Sequence, residues 1–64
     1  MVKINGKEHE AAGKTIAQLL LDGGYKPERV AVELNLDIVP KAMYSDTVVK
    51  DGDSVEIVGF VGGG

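Results

Sequence analysis

A chain of 64 residues is long enough for one small domain with a thin core, and it leaves little room for an enclosed catalytic cleft. Ten acidic residues against seven basic ones give a net charge of −3, and the lysines are dispersed among the acids, which argues against a nucleic-acid partner. The chain has no cysteine, which excludes disulfides and thiolate chemistry, and no apolar run approaches the roughly 20 residues of a membrane span, so we expect a soluble, cytoplasmic protein with no membrane partner.

The first predicted element is a β-hairpin. Val2-Lys3-Ile4 alternates apolar and polar residues, and Asn5-Gly6 is typical of a two-residue turn with positive φ at both positions. Residues 7–11 would form the returning strand. They carry little hydrophobic content, so we expect an edge strand.

A short helix is predicted next. Thr15 is suited to be its N-cap, and the Gln18 side chain, three residues on, is expected to reach back to the Thr15 amide as in a capping box. One apolar face follows at helical spacing, formed by Ile16, Leu19 and Leu20. Asp22-Gly23-Gly24 should end the helix, because glycine readily adopts the left-handed conformation of a C-cap.

The second half of the chain predicts further strands around an irregular segment. Residues 30–35 are rich in β-branched residues and indicate a central strand, whereas Pro40 bars the following segment from a central position. We expect a helical turn at 41–44, a short strand at 47–49 and a last strand at 54–60. Together these elements favour an α+β fold in which a mixed sheet of four to five strands packs on one helix, the β-grasp or ubiquitin-like arrangement. The expected domain covers residues 1–60, followed by a flexible C-terminal glycine tail at 61–64.

The glycine tail is the candidate site. Gly62-Gly63-Gly64 follows a predicted strand almost directly, and a segment without Cβ atoms can pass through a channel that side chains would block. A terminal carboxylate on Gly64 would be ionised at neutral pH and nucleophilic toward an activated phosphate. We therefore expect an ATP-using enzyme to act on Gly64. The alternative is a plain binding module whose glycine tail has no role.

A docking patch is predicted beside the tail. If Val55 and Ile57 face the helix, the alternation of a strand places Val58 and Phe60 on the opposite, solvent-facing side. Exposed apolar residues at an active terminus suggest a surface for a partner. Two alternatives remain open at this point: Phe60 folds back over the core, or a bulge at Gly59 resets the alternation.

The remaining polar residues suggest no metal site or bound cofactor. His9 lies on the face opposite to its neighbours Glu8 and Glu10, so these groups should not converge. Residues 51–53 lack the spacing of a calcium loop and indicate a turn. The larger side chains Tyr25, Met43 and Tyr44 are expected to cover the core.

These features together resemble the ThiS family, the sulfur carriers of thiamine biosynthesis, over essentially the whole chain. The resemblance is carried by Asn5-Gly6, residues 15–20 (TIAQLL), 32–35 (VELN), 38–40 (IVP), 47–53 (TVVKDGD), 55–58 (VEIV) and 60–64 (FVGGG). Family members commonly end in two glycines, and the third, Gly62, is a departure from that pattern.

The resemblance implies a mechanism and a set of partners. A ThiF-like adenylyltransferase, related to ubiquitin-activating enzymes, would use ATP to join AMP to the Gly64 carboxylate. A sulfur donor such as a cysteine desulfurase would lead to a thiocarboxylate on Gly64, and thiazole synthase (ThiG-like) would take that sulfur. Phe60, Val61, Gly62 and Gly63, with Val58, would contact the partners. The carrier would be a recycled co-substrate rather than an enzyme. A carrier for molybdopterin or cysteine synthesis, and a ubiquitin-like protein modifier, are the alternatives.

Overall fold

The computed structural model of the protein describes residues 1–59. Its strands are β1 (Val2–Ile4), β2 (Lys7–His9), β3 (Val30–Leu34), β4 (Asp37–Val39) and β5 (Ser54–Gly59), and its helix is α1 (Ile16–Asp22). Two 3₁₀ turns, Pro27–Arg29 and Lys41–Met43, lie in the connections. The Lys41–Met43 turn confirms the helical turn predicted there.

The five strands form one mixed sheet in the order β2-β1-β5-β3-β4. The central strand β5 runs parallel to β1 and antiparallel to β3, and the two hairpins complete the edges. This arrangement, with α1 on one face, confirms the predicted α+β, β-grasp fold. The predicted boundary between the domain at 1–60 and the tail at 61–64 stays a prediction, because residues 60–64 lie outside the described part of the chain.

Both hairpins close through two residues with positive φ. Asn5 and Gly6 have φ of 51° and 84°, as the Asn-Gly pair predicts, and Ile4 pairs with Lys7 across the turn. Asn35 and Leu36 have φ of 51° and 73°, and Leu34 pairs with Asp37. The prediction of an irregular segment after β3 was therefore wrong. The turn of the second hairpin contains no glycine, so the sequence provided only a weak signal for it. Its strand β4 lies at an edge of the sheet, as predicted from Pro40.

The helix begins as predicted and is stabilised differently from the prediction. The Gln18 amide donates to Thr15 Oγ1 over 3.1 Å, which confirms the N-cap. The Gln18 side chain does not reach back to Thr15, however; its Nε2 donates to Asp22 Oδ1 over 2.8 Å, one turn further on. The predicted capping box is thus wrong, because a charge-assisted hydrogen bond to the Asp22 carboxylate at i+4 holds the Gln18 carboxamide away from the Thr15 amide. The helix ends at Gly23 and Gly24, and Gly24 has φ of 78°.

The core lies between α1 and the inner face of the sheet. The helix contributes its predicted apolar face, and the sheet contributes side chains that alternate along each strand; the buried set is Val2, Ala11, Ile16, Leu19, Leu20, Val30, Val32, Val39, Tyr44, Val49, Val55 and Ile57. Truncating a fully buried member such as Leu20 to alanine typically costs about 2–5 kcal/mol. With so small a core, one such loss removes much of the stability of the domain.

Three local predictions need correction or completion. Residues 47–49 do not form a strand of the sheet: Val48 makes an isolated bridge with Thr15. The main-chain hydrogen bonds of this segment go to residues 13–16, the connection that leads into α1, and to Met43, and not to a strand of the sheet. Tyr44 is buried as predicted, and its hydroxyl donates to the Val30 carbonyl, whereas Met43 and Tyr25 are exposed rather than covering the core. Among residues 1–59, no helix has the length and hydropathy to cross a membrane.

Candidate functional site at the end of strand β5

The predicted site falls at the junction between β5 and the glycine segment. Of the predicted site residues, Val58 lies within β5, and Phe60, Val61, Gly62, Gly63 and Gly64 lie outside the described residues. The strand that leads to them is therefore the part of the site whose geometry is defined. This strand, β5, is the central strand of the sheet; it pairs with β1 on one side and β3 on the other, and it ends at Gly59.

Strand β5 divides its side chains between the core and solvent as alternation predicts. Val55 and Ile57 are buried under α1, whereas Glu56 and Val58 are exposed on the open face of the sheet. Val58 has 60% of its surface exposed, opposite Ala31 of β3. The pairing of β3 with β5 runs without interruption to Val30 and Gly59, so there is no bulge at Gly59 and that alternative is excluded.

The open face around Val58 combines apolar and acidic side chains. Glu33 of β3 pairs with both Glu56 on β5 and Ile38 on β4, which places these residues on one side of the sheet. Ile38 is 76% exposed. Two glutamates directly opposite each other on neighbouring strands disfavour folding slightly. The face therefore presents apolar surface with negative charge beside it, which is complementary to an apolar surface with basic residues around it.

The β1 side of β5 is completed by a side chain. Strand β1 ends at Ile4, opposite Val55, whereas β5 continues to Gly59. The Ile57 amide donates to Asn5 Oδ1 over 2.7 Å, and Asn5 Nδ2 donates to the Ile57 carbonyl over 3.3 Å. The sequence predicted only the turn at Asn5 and not the contact of its side chain with the Ile57 backbone. The Asn-Gly signal is local, and nothing in it identifies a partner 52 residues away.

A similar contact occurs at the other end of β5. Asn35, also at φ of 51°, accepts a hydrogen bond on Oδ1 from the Ser54 amide over 2.9 Å and donates from Nδ2 to Asp53 Oδ1 over 3.0 Å. The Lys50 amide donates to Asp53 Oδ2 over 2.8 Å. This bond and then the Asn35 bond lower the pKa of the Asp53 carboxyl, against the opposing effect of burial. Residues 51–53 thus form the predicted turn.

A shallow groove of about 440 Å³ lies between the first hairpin and the C-terminal end of α1. Its apolar wall includes Ile4, Leu19 and Ile57, and its charged rim includes Lys14 and Asp22, which are hydrogen-bonded to each other over 2.7 Å. The Lys14 bond, followed by that from Gln18, lowers the pKa of the Asp22 carboxyl. The rim charges are thus partly neutralised within the molecule.

Residues 1–59 contain no group of three or more histidine, cysteine, aspartate or glutamate side chains placed to hold a metal ion. His9 pairs with Val2 across the first hairpin, and Glu8 pairs with Lys3, so neighbouring β2 side chains point to opposite faces. The alternation therefore separates His9 from Glu8 as predicted.

Known proteins similar to this chain include proteins named thiazole synthase and proteins named sulfur carrier protein ThiS. A protein named thiazole synthase from Paramagnetospirillum magneticum is 50% identical over 62 residues, which are 95% of this chain and 19% of that protein. Another thiazole synthase, from Magnetococcus marinus, is 42% identical over 98% of this chain and 20% of its own length. The chain thus spans about a fifth of the length of these two relatives. The sulfur carrier protein ThiS of Bacillus subtilis is 38% identical over 66 residues, and the alignment covers 100% of both chains.

The structural comparison agrees with the sequence comparison. The crystal structure of the thiamine biosynthesis protein ThiS from Geobacter metallireducens superposes with a TM-score of 0.78 at 34% identity, over 98% of this chain and 97% of that one. The sequence model of the ThiS family matches residues 2–64. The expectation drawn from the sequence motifs is confirmed: this chain belongs to the ThiS family.

Proposed function

We propose that this chain is a sulfur carrier for thiazole formation in thiamine biosynthesis. The main support is its membership of the ThiS family, with a match that extends through the glycine segment to residue 64. Relatives named as sulfur carriers align with the chain over its full length. Relatives named thiazole synthase contain a similar segment within a longer protein, which favours thiazole synthase as the acceptor of the sulfur.

The proposed chemistry takes place on the Gly64 carboxylate. An adenylyltransferase joins AMP from ATP to this carboxylate and releases pyrophosphate. A sulfur nucleophile, supplied by a donor such as a cysteine desulfurase, displaces AMP and leaves a thiocarboxylate. AMP is a far better leaving group than oxide, so activation is what permits the exchange. Transfer of that sulfur to the thiazole precursor on the synthase, with an oxygen from the precursor or from water taking its place on the Gly64 carbonyl carbon, restores the carboxylate. The carrier is a recycled co-substrate and holds no cofactor of its own.

The proposed docking surface is the open face beside the end of β5. Val58 supplies exposed apolar surface there, and Glu56 and Glu33 supply negative charge. Phe60, Val61, Gly62 and Gly63 continue from this strand and would contact the partner on the way to its active site. Strand β5 is hydrogen-bonded on its β1 side as far as Ile57, and it pairs with β3 as far as Gly59. The segment that follows therefore continues from a strand that is held on both sides close to its end.

Intact-protein mass spectrometry tests this function. The chain is incubated with ATP, a thiamine-pathway adenylyltransferase and a sulfide source. We expect a mass gain equal to replacing one oxygen by sulfur, and no gain in a variant that lacks Gly62, Gly63 and Gly64. A variant shortened by one glycine, which ends in two glycines, tests whether the third glycine is required. No gain with an adenylyltransferase that is active on another carrier would contradict the proposal.

A coupled assay then identifies the acceptor. Sulfur transfer from the loaded chain to thiazole synthase, with formation of the thiazole product, supports the thiamine pathway. Transfer only to a molybdopterin- or cysteine-forming enzyme would assign the chain to another carrier pathway. Conjugates between Gly64 and lysine side chains, without a thiocarboxylate, would instead identify a ubiquitin-like modifier.

A further inference from the structure

Strand β5 extends further than its parallel neighbour β1. The last β1 residue, Ile4, lies opposite Val55, whereas β3 continues beside β5 as far as the pair Val30 and Gly59. Beyond Val55, β5 would therefore be held by main-chain pairing on its β3 side alone. Backbone groups on the other side need a different partner if the strand is to remain fixed.

The Asn5 side chain supplies that partner at Ile57. Along β5, alternate residues direct their amide and carbonyl toward β1: the Asp53 and Val55 carbonyls accept from the Lys3 and Asn5 amides, each over 2.9 Å. Ile57 is next in this series, and the Asn5 carboxamide both accepts from its amide and donates to its carbonyl. A carboxamide carries the same donor and acceptor as a peptide group, so Asn5 adds one rung to the ladder after β1 has turned away.

The backbone of Asn5 makes this possible. Its φ of 51° is the left-handed conformation required by the hairpin turn, and asparagine tolerates it better than most residues. The turn thus points the carboxamide at β5 while Gly6 and Lys7 lead the chain back along β2. Aspartate in this position would keep the acceptor for the Ile57 amide and lose the donor for the Ile57 carbonyl.

The position of this contact suggests its purpose. Ile57 lies two residues before Gly59, a distance of about 7 Å along the strand. Val58, the exposed apolar residue of the proposed docking surface, lies directly between them. Without the Asn5 contact, β5 beyond Val55 would be held by main-chain pairing on its β3 side alone, in the part of the strand that carries Val58.

We propose that Asn5 is a positioning residue for the docking surface at the end of β5: its carboxamide fixes Ile57, and with it Val58 and Gly59, relative to the sheet. This inference rests on the proposed carrier function. It assigns to a hairpin turn, at the opposite end of the sequence, part of the support of the surface that meets the partner enzyme.

The chain provides a matched control at Asn35. This residue has the same φ of 51°, and its Oδ1 also accepts from a β5 amide, that of Ser54. Ser54 begins β5, whereas Ile57 lies near its end. Asn5→Gly and Asn35→Gly each remove a carboxamide without straining the backbone, because glycine adopts positive φ freely.

The kinetic test compares adenylation of these variants well below their unfolding temperatures. We expect N5G to lower kcat/KM for the carrier about three- to tenfold, mainly through KM because docking is weakened, and N35G to stay within about twofold of the unmodified chain. Asn5→Asp, which retains the acceptor, should lie between. Equal losses in N5G and N35G, or no loss in N5G, would overturn the positioning role.

A second measurement needs no partner enzyme. NMR order parameters of the Val58 and Gly59 amides should fall in N5G and remain unchanged in N35G. Unchanged values in N5G overturn the inference whether or not the chain is adenylated. If the unmodified chain is not adenylated but these values fall in N5G, the carrier function is wrong and Asn5 still positions the end of β5.

Discussion

Leu36 is the residue whose backbone fits its side chain least well. It has φ of 73° in the second hairpin turn, and 85% of its surface is exposed. A left-handed conformation costs a residue with a Cβ roughly 1–2 kcal/mol. Glycine avoids that cost but loses about 0.5–1 kcal/mol through its greater freedom in the unfolded chain. Because the leucine side chain buries little surface, we expect Leu36→Gly to raise the free energy of unfolding by about 0.5–1 kcal/mol.

Thermal unfolding followed by circular dichroism measures this change. For a domain of this size, about 0.5–1 kcal/mol corresponds to an increase in Tm of about 2–8 °C. A urea titration should give a higher midpoint with an unchanged m-value, which would show that the compactness of the unfolded state is unaffected. The first hairpin provides the internal reference, because it already has glycine in the equivalent turn position, with φ of 84° at Gly6.

Two control variants separate backbone strain from other effects. Leu36→Ala keeps the Cβ atom and hence the strain, so its stability should stay close to that of the unmodified chain. Gly6→Ala introduces the strain into the first hairpin, where an added Cβ would meet no atom within 4 Å, and should cost about 0.5–1 kcal/mol, since alanine also has less freedom than glycine in the unfolded chain. An L36G variant no more stable than the unmodified chain, or an L36A variant stabilised equally, would show that Leu36 is not strained.

Other contacts give further predictions. Thr15→Ala should cost about 1 kcal/mol in denaturant unfolding by removing the helix N-cap, and Gln18→Ala less than about 0.5 kcal/mol, since no capping box forms; equal costs would contradict this difference. The pKa of Asp53 is lowered in the folded state, so its contribution to the free energy of unfolding is complete at neutral pH and is lost as pH falls through about 4 and below. Asp53→Asn should therefore reduce the loss of stability at acid pH. An unchanged acid dependence would show that the Asp53 carboxylate does not stabilise the fold. Val58→Ser should weaken adenylyltransferase binding about fivefold in titration calorimetry, whereas Leu21→Ser, an exposed apolar residue on the helix, should not; equal effects would argue against the docking surface.

Features that depend on neighbouring residues could be predicted from the sequence alone. Asn5-Gly6 predicted the first hairpin because only residues tolerant of positive φ fit its turn. The alternation of Val55, Ile57 and Val58 predicted which side of β5 is buried, because strand side chains alternate with a period of two. The sequence motifs also led to the family, and they identified the glycine segment as the candidate site.

Contacts between residues far apart in the sequence became visible only in the folded structure. The strand β4 depends on pairing with β3 through a turn whose leucine gives no local signal, and the pairing energy outweighs the strain at Leu36. The contact of Asn5 with Ile57 depends on where β1 ends relative to β5, which is set by the register of two strands from opposite ends of the chain. Periodicity and turn chemistry are local properties, whereas the register between strands results from packing the whole core. The contact of Asn5 with the end of β5 therefore emerged only in the folded molecule.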